Sequence, residues 1–267
     1  MLSVISNLPW WVIYRISDVV YFILYYIIKH DRDTVMYNLS IVFPNKTIKE
    51  RKSIAKQFYR NFSDTIFEDI KLLNINNKEL EKMIVTNLDV VNGVIKTKQN
   101  IQLHSGHFFN WNFYSAHINK SKDYHGMAVY KKLGSNTLNS FIKRLRQKFG
   151  TIMIEKSEYH DTIKKYNDKP FQILMICDNN TSLDKKTIFF NKQVTFTLGP
   201  EKMAKKYNCA VVYTEIFKIK RGLYNFHHTL ITTNPNEMDN ITQVISTHIE
   251  ESIKRNPSNY LWSQKLF

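Results

Sequence analysis

Apolar residues change their spacing twice along this chain. From Leu8 to Ile28 they form a nearly continuous apolar and aromatic run, broken chiefly by Arg15 and Asp18. As a helix this run is about 32 Å long, enough to cross a hydrocarbon core of roughly 30 Å. Arg15 and Asp18 lie three apart, a spacing that lets them pair on one helix face and lower the cost of their charges. Trp10 and Trp11 at one end and Tyr25 and Tyr26 near the other match the interfacial aromatic belts of membrane helices. Lys29, His30 and Arg32 follow, and no small-residue cleavage site does. The run therefore predicts a membrane-associated helix within residues 1–30, with residues 31–267 on the cytoplasmic side. It either spans the bilayer or lies amphipathically in its interface.

From Asp33 the spacing becomes helical. A short helix over Asp33 to Phe43 closes at Pro44. Thr47 with Glu50 three residues on makes a capping box. It opens a long amphipathic helix that buries Ile54, Phe58, Phe62, Ile66 and Ile70. After residue 84, strand and helix patterns alternate as in βα units. The predicted strands are Val90–Val94, Asn100–His104, His125–Tyr130, Thr151–Ile154, Phe171–Cys177, Thr187–Phe190, Ala210–Lys218 and Tyr224–Thr232. The predicted helices are Asn110–Asn119, Thr137–Phe149, Glu158–Tyr166, Gly199–Tyr207 and Ile241–Arg255. With only 7 Gly and 6 Pro and no linker or repeat, residues 31–267 read as a single α/β domain. Its expected core is one mixed sheet flanked by helices.

Composition adds two constraints. A hydrophobic fraction of 43% with 23% charged residues is that of a folded chain. The net charge of +15 favours an anionic partner: nucleic acid, an acidic leaflet or an acidic carrier protein. The aromatics sit at core periods and no nucleic-acid motif appears, which argues against nucleic acid. Cys177 and Cys209 have no CxxC spacing and read as buried free thiols. His104, His107, His117 and His125 form no metal-ligand spacing. Nothing in the sequence sets an oligomeric state.

The chemistry centres on Leu103-His104-Ser105-Gly106-His107-Phe108-Phe109-Asn110-Trp111-Asn112. A strand runs into a Ser-Gly turn with a histidine at its tip, the usual placement of a reactive group at the carboxyl edge of an α/β sheet. Near neutral pH histidine is the side chain best suited to take a proton from a hydroxyl. This stretch resembles the first block of the lysophospholipid acyltransferase superfamily, in the lipid A late acyltransferase branch. That block is His, four residues, then Asp or Glu. His107, Asn110 and Trp111 match it, and Asn112 stands where the acid belongs.

Other parts of the chain match in order. Asn38-Leu39, Phe43-Pro44 and Phe58-Tyr59 resemble the lead-in. Val129-Tyr130-Lys131-Lys132-Leu133 and Leu145–Gly150 resemble the second block, with Arg146 at the position of its phosphate-facing arginine. Asp178-Asn179-Asn180 stands at the place of an Asp-Gln pair, and Asp178 alone also reads as a turn cap after its strand. Phe189-Phe190-Asn191 and Thr195–Ala204 resemble the third block, where Gly199 lets substrate approach the backbone and Glu201 follows. Asn256–Lys265 is similar to the closing block, with Gln264 in place of a histidine and Leu266 in place of an arginine.

The resemblance implies a glycerolipid acyltransferase-like fold. It also implies transfer of a fatty acyl group from acyl carrier protein or coenzyme A to a hydroxyl of a membrane lipid, with no bound cofactor. His107 is then the base and Asn112 its orienter. Arg146, Asp178, Gly199, Glu201 and Trp111 contact substrate. An asparagine can hold the imidazole ring but supplies no charge to an imidazolium. Three outcomes stay open: a slow enzyme, an enzyme that borrows Asp178 or Glu201 as its carboxylate, or a non-catalytic lipid- or partner-binding relative. A slow enzyme would be accelerated by Asn112→Glu, whereas one already served by another carboxylate would not.

Overall fold

A computed structural model describes every residue except Met1, 119–122, 131–135 and 179–184, and leaves undescribed the side chains of 136–138 and 185. Lys131-Lys132-Leu133 and Asn179-Asn180 lie outside the described residues.

The chain opens with helix α1 (Leu2–Asn7) and α2 (Trp10–Phe22), the latter extended by a π-helical turn over Ile23–Ile28. Trp10–Ile28 is long and apolar enough to cross a membrane. Lys29 ends it in the left-handed conformation at φ 54°. Next come α3 (Arg32–Val42), the 25-residue α4 (Ile48–Leu72) and α5 (Asn77–Lys82). The Thr47–Glu50 capping box is formed: the Glu50 N–H donates to Thr47 Oγ1 at 3.3 Å and the Thr47 N–H to Glu50 Oε2 at 2.7 Å. Helix α2 packs along α4, with Ile13, Ser17 and Tyr21 buried. The Ser17 hydroxyl donates to Asp64 at 2.6 Å and the Tyr14 hydroxyl to Glu68 at 3.0 Å. These contacts make α2 an integral layer of the structure, while its other face is exposed.

The remaining elements build the α/β body: β1 (Ile84–Thr86), α6 (Asp89–Lys96), β2 (Ile101–Ser105), α7 (Trp111–His117), β3 (His125–Tyr130) and α8 (Asn136–Gln147). They continue with β4 (Ile152–Glu155), α9 (Tyr159–Lys165), β5 (Phe171–Ile176), β6 (Lys185–Phe189), β7 (Lys192–Phe196), α10 (Gly199–Lys206), β8 (Ala210–Lys220), β9 (Leu223–Thr232) and α11 (Ile241–Arg255). Seven strands form one mixed sheet in the order β1-β9-β8-β2-β5-β3-β4. Only the β8–β9 pair is antiparallel. Strands β6 and β7 make a separate hairpin across Phe190 and Asn191, both at positive φ, as a two-residue primed turn requires.

The sheet bears out the expected α/β class, with one correction of element type. Val90–Val94 is helical within α6, not a strand. Val91 and Val94 are its buried residues, three apart, and a buried helical face is satisfied by that spacing as readily as a strand by a valine run. The short edge strand β1 and the strand β7 were not predicted.

Strand β2 lies at the centre, buried at all five positions, between β5 and β8 and parallel to both. Ser105 is in register with Ile176 at the carboxyl ends of β2 and β5. Two residues beyond each strand stand His107 and Asp178. The register of two neighbouring parallel strands therefore brings these residues together.

Candidate active site

His107 follows a glycine at which any side chain would be crowded. A Cβ on Gly106 would sit 3.0 Å from the Phe108 ring and 3.2 Å from an Asp178 carboxylate oxygen. This closeness lets the His107 backbone N–H donate to Asp178 Oδ2 at 3.0 Å while the ring Nδ1 meets Oδ1 at 2.6 Å. The Tyr260 hydroxyl donates to Oδ2 at 2.5 Å and accepts from the Gln264 side-chain amide at 2.8 Å. Burial alone would raise the Asp178 pKa. The charge and hydrogen bonds of His107 and Tyr260 outweigh it and hold the carboxyl below its ordinary value. An ionised Asp178 accepts the Nδ1 proton, which leaves Nε2 as the unprotonated nitrogen.

The closing segment locks this arrangement. The Leu261 N–H donates to the His107 carbonyl and the Phe109 N–H to the Asn259 carbonyl, both at 2.9 Å. Asn38 in α3 donates to the carbonyls of Trp262 and Gln264, each at 2.8 Å. The lead-in and closing blocks thus meet behind the site.

His107 keeps 18% of its side chain exposed and lines a cleft of about 570 Å³. Most of the wall is apolar, with Val129, Ile142, Met153, Met175 and Met203 among its residues. Trp111 stands edge-on to His107 at 5.9 Å between centroids. Arg146 and Gly199 also line the cleft. The protein leaves the space beside Gly199 open, since an added Cβ would meet only Thr197 Oγ1, at 4.0 Å.

Three expected placements change. Asn112 is not the partner of His107: its Nδ2 donates to Asp69 Oδ2 at 2.6 Å and its Oδ1 accepts from Arg146 Nε at 2.8 Å. Its helix, α7, turns that side chain towards α4 and α8, whereas the strand register gives the imidazole to Asp178. Asp178 stands behind His107 with its side chain fully buried, not on the rim of the cleft. Glu201 is off the cleft. Its carboxylate accepts from the Thr242 N–H at 2.9 Å and hydroxyl at 2.6 Å, tying α10 to the start of α11.

Two adjacent acids in α4 were not singled out in the sequence. Glu68 accepts from the Asn110 amide at 2.6 Å, from Tyr224 at 2.6 Å and from the Gly222 N–H at 3.0 Å. It thereby holds Asn110 at φ 68°, a left-handed conformation that asparagine tolerates, at the start of α7. Asp69 holds the Asn112 amide and through it Arg146. The only signal was their place late on the buried face of a long amphipathic helix.

The Asp69–Asn112–Arg146 chain is deeply buried. Burial lifts the Asp69 carboxyl to about 7, against the lowering by the Asn112 hydrogen bond and the Arg146 charge. Burial also brings Arg146 down to about 10. An acid whose folded pKa lies above its unfolded value loses stability as pH rises, here between about 4 and 7. Asp69→Asn removes that slope. The melting temperature of the variant relative to the parent is therefore expected to climb by several degrees between pH 4 and pH 8; a constant difference would show that Asp69 does not titrate in this window.

Among the described residues no group of His, Cys, Asp and Glu forms a metal site. Cys177 and Cys209 are free and buried. Comparison with curated proteins found none that matches this chain. Comparison with protein families found one whose model, the bacterial lipid A biosynthesis acyltransferases, matches residues 1–267. A histidine held by a carboxylate at an apolar cleft, carried on a chain that matches this model from end to end, places the protein in the bacterial lipid A biosynthesis acyltransferase family.

Proposed function

We propose that this chain transfers a fatty acyl group from an acyl thioester, on acyl carrier protein or coenzyme A, to a hydroxyl of a membrane lipid. The acceptor is a glycolipid of the lipid A type or a phospholipid precursor. The observation that carries this reading is the His107–Asp178 pair, set at an apolar cleft with Nε2 left to act as base. Nε2 takes the proton of the acceptor hydroxyl as its oxygen attacks the thioester carbonyl. The imidazolium formed is stabilised by Asp178, and its proton passes to the departing thiolate as the tetrahedral intermediate collapses. The apolar wall takes the acyl chain. Arg146, with Lys143 and Lys156 also lining the cleft, faces the phosphate of acceptor or donor.

The exposed apolar face of α2 and the +15 charge support action at the cytoplasmic face of the inner membrane. Acyl transfer measured with purified protein in mixed micelles tests the proposal, using acyl carrier protein and coenzyme A thioesters with phosphorylated glycolipid acceptors. His107→Ala is expected to abolish turnover. Absence of turnover in the unaltered protein with every thioester, while lipid is still bound, would instead support the non-catalytic lipid-binding reading.

A further inference from the structure

A second cleft, also of about 570 Å³, lies apart from the first and shares no lining residue with it. It opens where α2, α4 and the β8–β9 turn meet. Four cations line it, Arg60, Lys218, Lys220 and Arg221, against two carboxylates, Asp18 and Asp64. The acids position the bases. Asp64, buried, accepts from Lys218 Nζ at 2.5 Å and from Arg221 Nε at 3.0 Å, and Asp18 pairs with the other end of the Arg221 guanidinium. Arg60 lies over the Tyr21 ring at 5.0 Å. Counting formal charges, four positive against two negative leave the lining at +2.

The setting says what anion fits. On α2 and its π-helical extension, Trp11, Val19, Phe22 and Tyr26 are exposed, Trp11 by 71%, on a face that also carries the exposed Arg15. Phe22 belongs both to this face and to the cleft wall, and Ile219, exposed on β8, lines the cleft as well. A largely apolar face ending at a basic cleft places acyl chains and a phosphate at adjoining depths. We propose that this cleft binds the phosphodiester headgroup of an anionic phospholipid in the membrane that α2 enters. The bound lipid would set the depth and tilt of the protein at the surface, independently of whether His107 turns over substrate.

Titration of the detergent-solubilised full chain with short-chain phosphatidylglycerol and phosphatidylcholine, read by calorimetry, tests this. Phosphatidylglycerol is expected to bind saturably and phosphatidylcholine not at all. Arg60 and Lys220 are exposed, so Arg60→Ala/Lys220→Ala leaves the fold intact. Each basic residue near an anionic surface contributes about fivefold, so the pair should weaken binding at least tenfold. Lys98→Ala/Lys164→Ala removes the same charge elsewhere on the surface and should change it less than about threefold. Equal losses in the two double variants would reduce the effect to general electrostatics and overturn the site. Equal binding of the two lipids would overturn it as well. Inorganic phosphate binding as tightly as phosphatidylglycerol would reassign the cleft to a soluble phosphate.

Discussion

Asp178→Asn should lower acyl transfer by about 10⁴-fold with little change in substrate affinity, the size of the loss that follows the equivalent change in the serine-protease triad. The side chain keeps its shape, so Tyr260 and the His107 N–H still have an oxygen to reach. What changes is the other arm. An amide nitrogen facing His107 Nδ1 at 2.6 Å donates a hydrogen where the carboxylate accepted one. The imidazole then places its proton on Nε2 and cannot act as base. It also loses the charge that stabilises the imidazolium. Single-turnover rates over pH 6–9 would check this. A loss of less than tenfold would mean that Asp178 only anchors the turn, and the base would have to be sought elsewhere.

Asn112→Glu is expected to lower both stability and activity, although it rewrites the first block as the family has it. Asn112 Nδ2 donates to the buried Asp69, and a glutamate there would set carboxylate against carboxylate with one Arg146 between them. The lost hydrogen bond costs about 1–3 kcal/mol and overpacking by a methylene a similar amount. At about 2–4 °C per kcal/mol for a large domain, the melting temperature should fall by roughly 5–20 °C. The reciprocal exchange Asn112→Asp/Asp69→Asn moves the charge across the same hydrogen bond. It should recover much of the loss that Asn112→Asp alone incurs, because neighbouring sites couple. Faster turnover in Asn112→Glu at unchanged stability would return the orienting role to position 112.

The two acids explain what sequence reading could and could not reach. The 3.6-residue period and the capping box gave α4 its start and part of its buried face, Phe58 and Ile70, whereas Ile66 of the same stripe is exposed; the runs at His125–Tyr130 and Ile241–Arg255 match β3 and α11 at both ends. His107 was legible because its place after a buried strand and a Ser-Gly turn came with the other family blocks in order; a lone histidine there is more often structural. Its partner was legible only as one of two carboxylates, Asp178 or Glu201, that it could borrow. Residues 107 and 178 become neighbours only through the pairing of β2 with β5, and sheet order is a tertiary property. Position 112 occupies the acid position of the first block, which makes it the expected partner, but a helix start at Trp111 turns it to the opposite side. Asp69 was hidden for a related reason: an acid late in an amphipathic helix usually faces water, and only the approach of α7 and α8 buries it.

The contacts of Tyr260, Leu261 and Gln264 bear on how the protein is made. The hydroxyl on Asp178, the N–H on the His107 carbonyl and the amide on Tyr260 all come from residues translated more than 150 positions after His107. A nascent chain that ends at α7 still lacks these struts. The His107–Asp178 pair therefore gains its bracing only once the C-terminal segment has been made, long after the strand and turn that carry His107.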